Sequence, residues 1–166
     1  MELFVEKIVK RKKTGLDNLI ITGEILACMI LSVAAFALIP SFGMFIAVGL
    51  GYGTWYLVTM RSKEFEYAVT NGELDIDRII ARRRRKRIFS AHGKEFELVA
   101  PVKSTYYTKD MQNMKKKIDA TSGKDAEGVW FITTHLGGES GIVLFQPNAN
   151  MIDALWHTNP RKVMRS

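Results

Sequence analysis

The sequence predicts an α+β membrane protein: a transmembrane helical hairpin followed by a small antiparallel β barrel or bent sheet with a C-terminal helix. Three observations carry that expectation. Two long apolar runs stand almost end to end between Leu19 and Met60. After Lys63 the apolar residues stop recurring at helical spacing and begin to alternate, and near the end of the chain helical spacing returns. The average composition, 47% hydrophobic in 166 residues, suits an ordinary soluble domain and hides this division. Residues 1–18 are expected to form a basic amphipathic segment, 19–60 the hairpin, and 61–166 a cytoplasmic domain.

From Leu19 to Ile39 the only charged residue is Glu24, and about 21 residues at about 1.5 Å each match the roughly 30 Å hydrocarbon thickness. The second run, Phe42 to Met60, has no charge, and Pro40, Ser41 and Gly43 supply the break before it. So short a connection predicts antiparallel helices. A cleaved signal peptide would have a shorter apolar core and no second span directly behind it. Lys7, Lys10, Arg11, Lys12 and Lys13 precede the hairpin and Arg61 and Lys63 follow it, whereas its turn has no basic residue, so both ends are expected in the cytoplasm. Tyr52, Trp55 and Tyr56 suit the aromatic belt at that interface.

In the second span, Ala47 with Gly51 and Gly49 with Gly53 form two overlapping pairs of small residues four apart, a spacing that lets another helix approach closely. The favoured partner is the first span, with a second copy of the chain as the other candidate. Glu24 lies near enough to the boundary to extend its carboxylate towards water, with no charge expected opposite it on the second helix. Ahead of the hairpin, Phe4, Val5, Ile8 and Val9 recur at helical spacing among charged residues, which predicts a short interfacial helix.

The soluble part opens with a clear hairpin signal. Phe65, Tyr67 and Val69 alternate, Asn71-Gly72 is the preferred pair for a type I′ turn, and Leu74 and Ile76 resume the alternation. Further strands are expected at Arg87–Ala91, Lys117–Thr121, Val129–His135 and Ile142–Gln146, with a helical turn and another strand within Phe96–Thr108. Asn150 is a candidate N-cap for a final helix carrying Met151, Ile152, Leu155 and Trp156 on one stripe, stopped by Asn159-Pro160. Met151 and Trp156 are the candidate plug of the barrel.

The stretch Phe65 to Ile80, with its core Thr70-Asn71-Gly72-Glu73-Leu74-Asp75-Ile76-Asp77, the run Arg82 to Arg87 and the preceding apolar hairpin together resemble a family of small bacterial membrane proteins. The strand order and final helix are similar to bacterial pleckstrin-homology-like domains. The resemblance implies that fold, but no activity, because such folds host lipid binding, peptide binding and scaffolding alike.

Arg82, Arg83, Arg84, Arg85, Lys86 and Arg87 form the most conspicuous feature of the soluble part. A strand leaving the second span and returning antiparallel would place this run beside the bilayer, where each basic side chain contributes on the order of 1 kcal/mol with anionic lipid. Anionic head groups are therefore the expected partner ahead of nucleic acid, and Lys115, Lys116 and Lys117 are candidates to extend the patch. The one cysteine, Cys28, excludes an internal disulfide, and His92, His135 and His157 lack metal-ligand spacing, so no metal or cofactor is expected. Ser140 lies in a glycine-rich loop that departs from the nucleophile elbow at Ile142. These features favour a non-enzymatic, membrane-tethered binding or scaffolding module with a protein partner. The alternatives are an enzyme acting on lipid or envelope precursors and a structural subunit of a membrane complex.

Overall fold

The computed structural model describes residues 4–165. They form two compact units, one made of residues up to Arg11, Glu64–Ile79 and Arg84 onward, the other of Lys12–Lys63 and Ile80–Arg83.

The first unit is built on two four-stranded sheets. One has the order β1 (Phe4–Lys10), β2 (Lys63–Thr70), β3 (Glu73–Ile80), β4 (Arg84–His92), and the other the order β5 (Leu98–Pro101), β7 (Trp130–Leu136), β8 (Glu139–Phe145), β6 (Lys116–Asp119). No closed barrel forms, and β6 runs parallel to β8, so the architecture departs from the expected all-antiparallel barrel. The β2–β3 hairpin turns on Asn71 and Gly72 at φ 52° and 85°, the left-handed pair that a type I′ turn requires.

The segment Phe4–Lys10 is a strand, not the interfacial helix that its spacing suggested. It pairs antiparallel with β2 from Phe4 opposite Thr70 to Lys10 opposite Glu64. The physical reason is an ambiguity of period: Val5 and Val9, four apart, share a face in a helix and equally in a strand. Pairing with β2 decides the matter, burying Val9 and setting Val5 against the core.

Both sheets contribute to that core: Phe65, Tyr67, Val69, Leu74 and Ile76 from the first, Ile132, Val143 and Phe145 from the second. The Tyr67 ring meets Phe145 edge-on at 5.9 Å and its hydroxyl donates to the Ala120 carbonyl, while burial pushes its pKa well above the usual tyrosine range. Helix α4 (Ala149–Thr158) adds Met151, Ile152, Ala154 and Leu155, each fully buried aliphatic side chain contributing about 1.5–3 kcal/mol. Its N-cap is Asn148, whose side chain accepts the Met151 N–H, rather than Asn150. Met151 is fully buried and Trp156 packs at the margin, so the two expected plug residues do cover the core. A smaller cluster of Ala100, Phe131 and Ile142 lies on the other face of the second sheet, where Tyr107 packs on Phe131 at 5.2 Å ahead of the one-turn helix α3 (Lys109–Gln112).

The second unit is the helical hairpin. Helix α1 (Gly15–Leu38) opens with a capping box in which Thr14 and Asp17 satisfy each other's backbone N–H groups, and α2 (Pro40–Met60) begins on Pro40, where proline's missing donor costs nothing. Only Ile39 separates them, so Gly43 lies inside α2 instead of breaking it. A Cβ at Gly43 would come within 2.9 Å of the Phe36 Cα, so the two helices pack tightly there.

Ile21, Glu24, Cys28, Ser32 and Ala35 on α1, and Gly43, Ala47, Leu50, Thr54 and Val58 on α2, are among the less exposed positions and recur three to four apart. The remaining surface is apolar and open, and both helices are long and apolar enough to cross a membrane.

Candidate functional site

Sequence and structure converge on the turn joining β3 to β4. Ile80 to Arg83 close it through an Arg83 N–H to Ile80 C=O hydrogen bond of 3.0 Å, with Ala81 and Arg82 both at φ 55°. This is the same left-handed geometry as the Asn71-Gly72 turn, made here from two residues with side chains at roughly 1–2 kcal/mol each. Two contacts within the hairpin unit hold it: the Ala81 N–H donates to the Ser62 carbonyl at 2.8 Å, and the Arg83 guanidinium lies 5.5 Å from the centre of the Trp55 ring. Trp55 itself leans on Tyr52 at 5.7 Å. The basic turn therefore belongs to the same compact unit as the apolar helices.

The rest of the run divides by partner. Arg84 to Arg87 lie in β4, two of them paired with carboxylates of neighbouring strands. Arg85 bonds Glu66 and lies 3.9 Å from Asp77; Arg87 donates from Nε to Asp77 at 2.8 Å and pairs from Nη1 with Asp75 at 2.8 Å. Glu66 and Asp77 are only 8% and 6% exposed, so these arginines neutralise carboxylates that the fold has taken from water. The hydrogen bond to Asp77, with Asp75 and Glu73 nearby, raises the Arg87 pKa above its ordinary value. Among the described residues no carboxylate pairs with Arg84 or Lys86, both exposed. The six residues thus form no uniform basic face. The missed signal was Asp75-Ile-Asp77, whose carboxylates alternate with core residues and needed cationic cross-strand partners.

A second pairing escaped the sequence reading. Glu24, expected to have no charge opposite it, accepts a 2.6 Å hydrogen bond from Nη2 of Arg61, the C-cap residue of α2. Arg61 had been assigned only an orienting role.

The small-residue pairs are also rearranged. Ala47 faces the seam with α1, but a Cβ added at Gly49, Gly51 or Gly53 would meet nothing within 4 Å. Close packing against α1 is seen at Gly43, where an added Cβ would meet Phe36.

Of the lysines expected to extend the patch, Lys116 donates to the Leu136 carbonyl and lies 3.5 Å from Glu139, while Lys117 lines a cleft on the second sheet. His135 stands opposite Ser140 in the β7–β8 ladder and 3.4 Å from Glu97. The imidazole is 61% exposed, and Ser140 makes no hydrogen bond to it among the described residues. No group of three or more His, Cys, Asp or Glu able to hold a metal occurs among the described residues.

Two sheets with a C-terminal helix over their core, and apolar helices between the first two strands, define an α+β protein with a pleckstrin-homology-like domain. The model of the bacterial PH-like domain family (DUF6106) matches residues 1–165, and the chain belongs to that family. No curated protein and no solved structure matches it.

Proposed function

We propose that the protein is a non-enzymatic, membrane-tethered binding module: α1 and α2 span the bilayer, the sheet domain lies on the cytoplasmic side, and the β3–β4 turn contacts anionic head groups. The observation that carries this reading is the attachment of the basic turn to the hairpin unit through Ser62 and Trp55. Large apolar side chains such as Leu38, Phe45 and Val48 are mostly exposed along the helices, far more contiguous apolar surface than water tolerates. Basic residues before α1 and after α2 favour cytoplasmic placement of both ends. With Arg85 and Arg87 neutralised, the attraction falls to Arg83, Arg84 and Lys86, each contributing on the order of 1 kcal/mol near an anionic surface.

The test uses the full chain in nanodiscs holding a minor fraction of anionic lipid with an energy-transfer acceptor for tryptophan. Replacing Arg83, Arg84 and Lys86 by glutamine is expected to lower acceptor enrichment near the protein several-fold and to abolish its salt sensitivity. The Glu66 and Asp77 pairs stay intact in this variant. Enrichment equal to the parent's in a folded variant would overturn the lipid contact. Cysteines placed at Lys12 and Lys162 should both react from the cytoplasmic side of oriented vesicles; labelling from opposite sides would overturn the topology.

A second reading, a structural subunit of a membrane complex, is supported by the open space beside Gly49 and Gly53, four apart, where an added Cβ would meet nothing within 4 Å. It predicts that disulfide cross-linking through cysteines at those positions captures a second copy or another membrane protein.

A further inference from the structure

We propose that the sheet domain carries a separate binding site for a small phosphate ester, in a cleft on the second sheet that uses none of the basic run. The cleft encloses about 380 Å³, a volume in the range of small-ligand pockets. Its lysines come from three segments: Lys103 just after β5, Lys117 on β6, and Lys124 on the loop from β6 to β7. Among the described residues none of the three has an ion-pair partner. All three side chains are exposed at the cleft, and each ammonium offers an incoming anion three donors and no acceptor.

The carboxylate in the lining, Asp119, is already engaged. It accepts the Thr121 N–H at 3.1 Å and hydroxyl at 2.7 Å through one oxygen, and lies 3.9 Å from Arg11 through the other. It is thereby turned from a cation ligand into part of the frame. The loop is framed too: the Gln146 side chain accepts from the Ser122 N–H and donates to the Glu127 carbonyl, both at 2.7 Å, tying its two arms together.

The rest of the lining selects the ligand class. Val102, Val129, Trp130 and Leu144 give the cleft an apolar floor that inorganic phosphate alone would leave unused. The fitting ligand therefore joins a phosphate to a compact apolar or aromatic body, as a soluble phosphomonoester or as a lipid head group with its first carbons. The enclosed volume excludes a nucleic-acid strand.

The test places the full chain in phosphatidylcholine nanodiscs and measures, by mass spectrometry, protection of lysines from reductive methylation. Phenyl phosphate should protect Lys103, Lys117 and Lys124 at least fivefold relative to phenol and at lower concentration than inorganic phosphate, while Lys94 and Lys162 react as before. Protection by phenyl phosphate identifies a soluble ligand class; protection only when phosphatidic acid replaces part of the lipid identifies a head group. Substituting Lys117→Gln and Lys124→Gln together should weaken calorimetric binding at least tenfold with unchanged circular dichroism. Absence of protection in both arms, protection no greater than at Lys94, or undiminished binding by the double variant would each overturn the proposal. Glutamines at Arg83, Arg84 and Lys86 leave this site untouched, so its failure and that of the basic turn are distinguishable.

Discussion

The hairpin and the sheet domain treat their large apolar side chains in opposite ways. In the sheet domain Tyr67, Leu74, Ile132, Phe131 and Phe145 lose essentially all exposure, whereas in the hairpin Leu19, Ile30, Leu38 and Phe45 keep most of theirs. The difference lies in what each unit leaves exposed. One carries its own apolar interior beneath a charged exterior; the other leaves large apolar side chains exposed and includes small and polar residues, Ser32, Ala35, Gly43 and Thr54, and the Glu24–Arg61 pair among its less exposed positions. This inversion is expected where the surroundings are as apolar as leucine.

The sharpest way to break the comparison is to remove the same side chain from each unit. Phe131→Ala should destabilise the sheet domain by about 3–5 kcal/mol. Phe45→Ala, from a side chain 75% exposed, should change unfolding by less than about 0.5 kcal/mol. Denaturant unfolding in micelles, followed by near-ultraviolet circular dichroism, measures both. Equal losses would show that α2 packs against protein at Phe45.

Glycines sharpen it next. Gly72 sits at φ 85°, where a Cβ would come within 2.7 Å of the Thr158 methyl, so Gly72→Ala should cost about 1–3 kcal/mol. Gly51→Ala, in open space on a helix, should be neutral or stabilise by up to about 1 kcal/mol. Thermal unfolding of the two variants decides, and a destabilising Gly51→Ala would reveal a partner on that face.

The smallest contrast lies within the basic run. Arg85→Gln leaves Glu66 buried without its cation and should cost about 1–2 kcal/mol, discounted because the arginine is half-exposed, while Arg84→Gln should cost less than about 0.5 kcal/mol. A double-mutant cycle of Arg85→Gln with Glu66→Gln should recover part of that loss. Absence of coupling would return Arg85 to the solvated face that the sequence suggested.

Where a single local rule suffices, the sequence was readable: the two apolar runs, the Asn71-Gly72 turn and the final amphipathic helix all follow from spacing and turn chemistry. Reading failed where one spacing fits two periods, as in Val5 and Val9, and where a residue's meaning depends on a distant partner. Arg85 and Arg87 look like a surface until Glu66 and Asp77 are brought beside them, and Arg61 looks like a topology signal until Glu24 meets it. The cleft lysines, spread from Lys103 to Lys124, share no local motif, since only the sheet order and the Gln146 brace gather them.

The pairing of β1 with β2 orders events during synthesis. Strand β1 is translated before the helices, yet its hydrogen-bonding edge has no partner until β2 has emerged behind residues 11–62. Joining two strands across that many flexible residues would carry a heavy loop-closure entropy. A hairpin that already returns on itself, latched where Arg61 reaches Glu24, shortens the effective loop and lets the two strands find register. A fragment starting at Arg61 would lack β1, leaving β2 as a raw edge and removing Val9 from the core. A chain that starts at Arg61 is expected to aggregate through that bare edge, which size-exclusion chromatography would show.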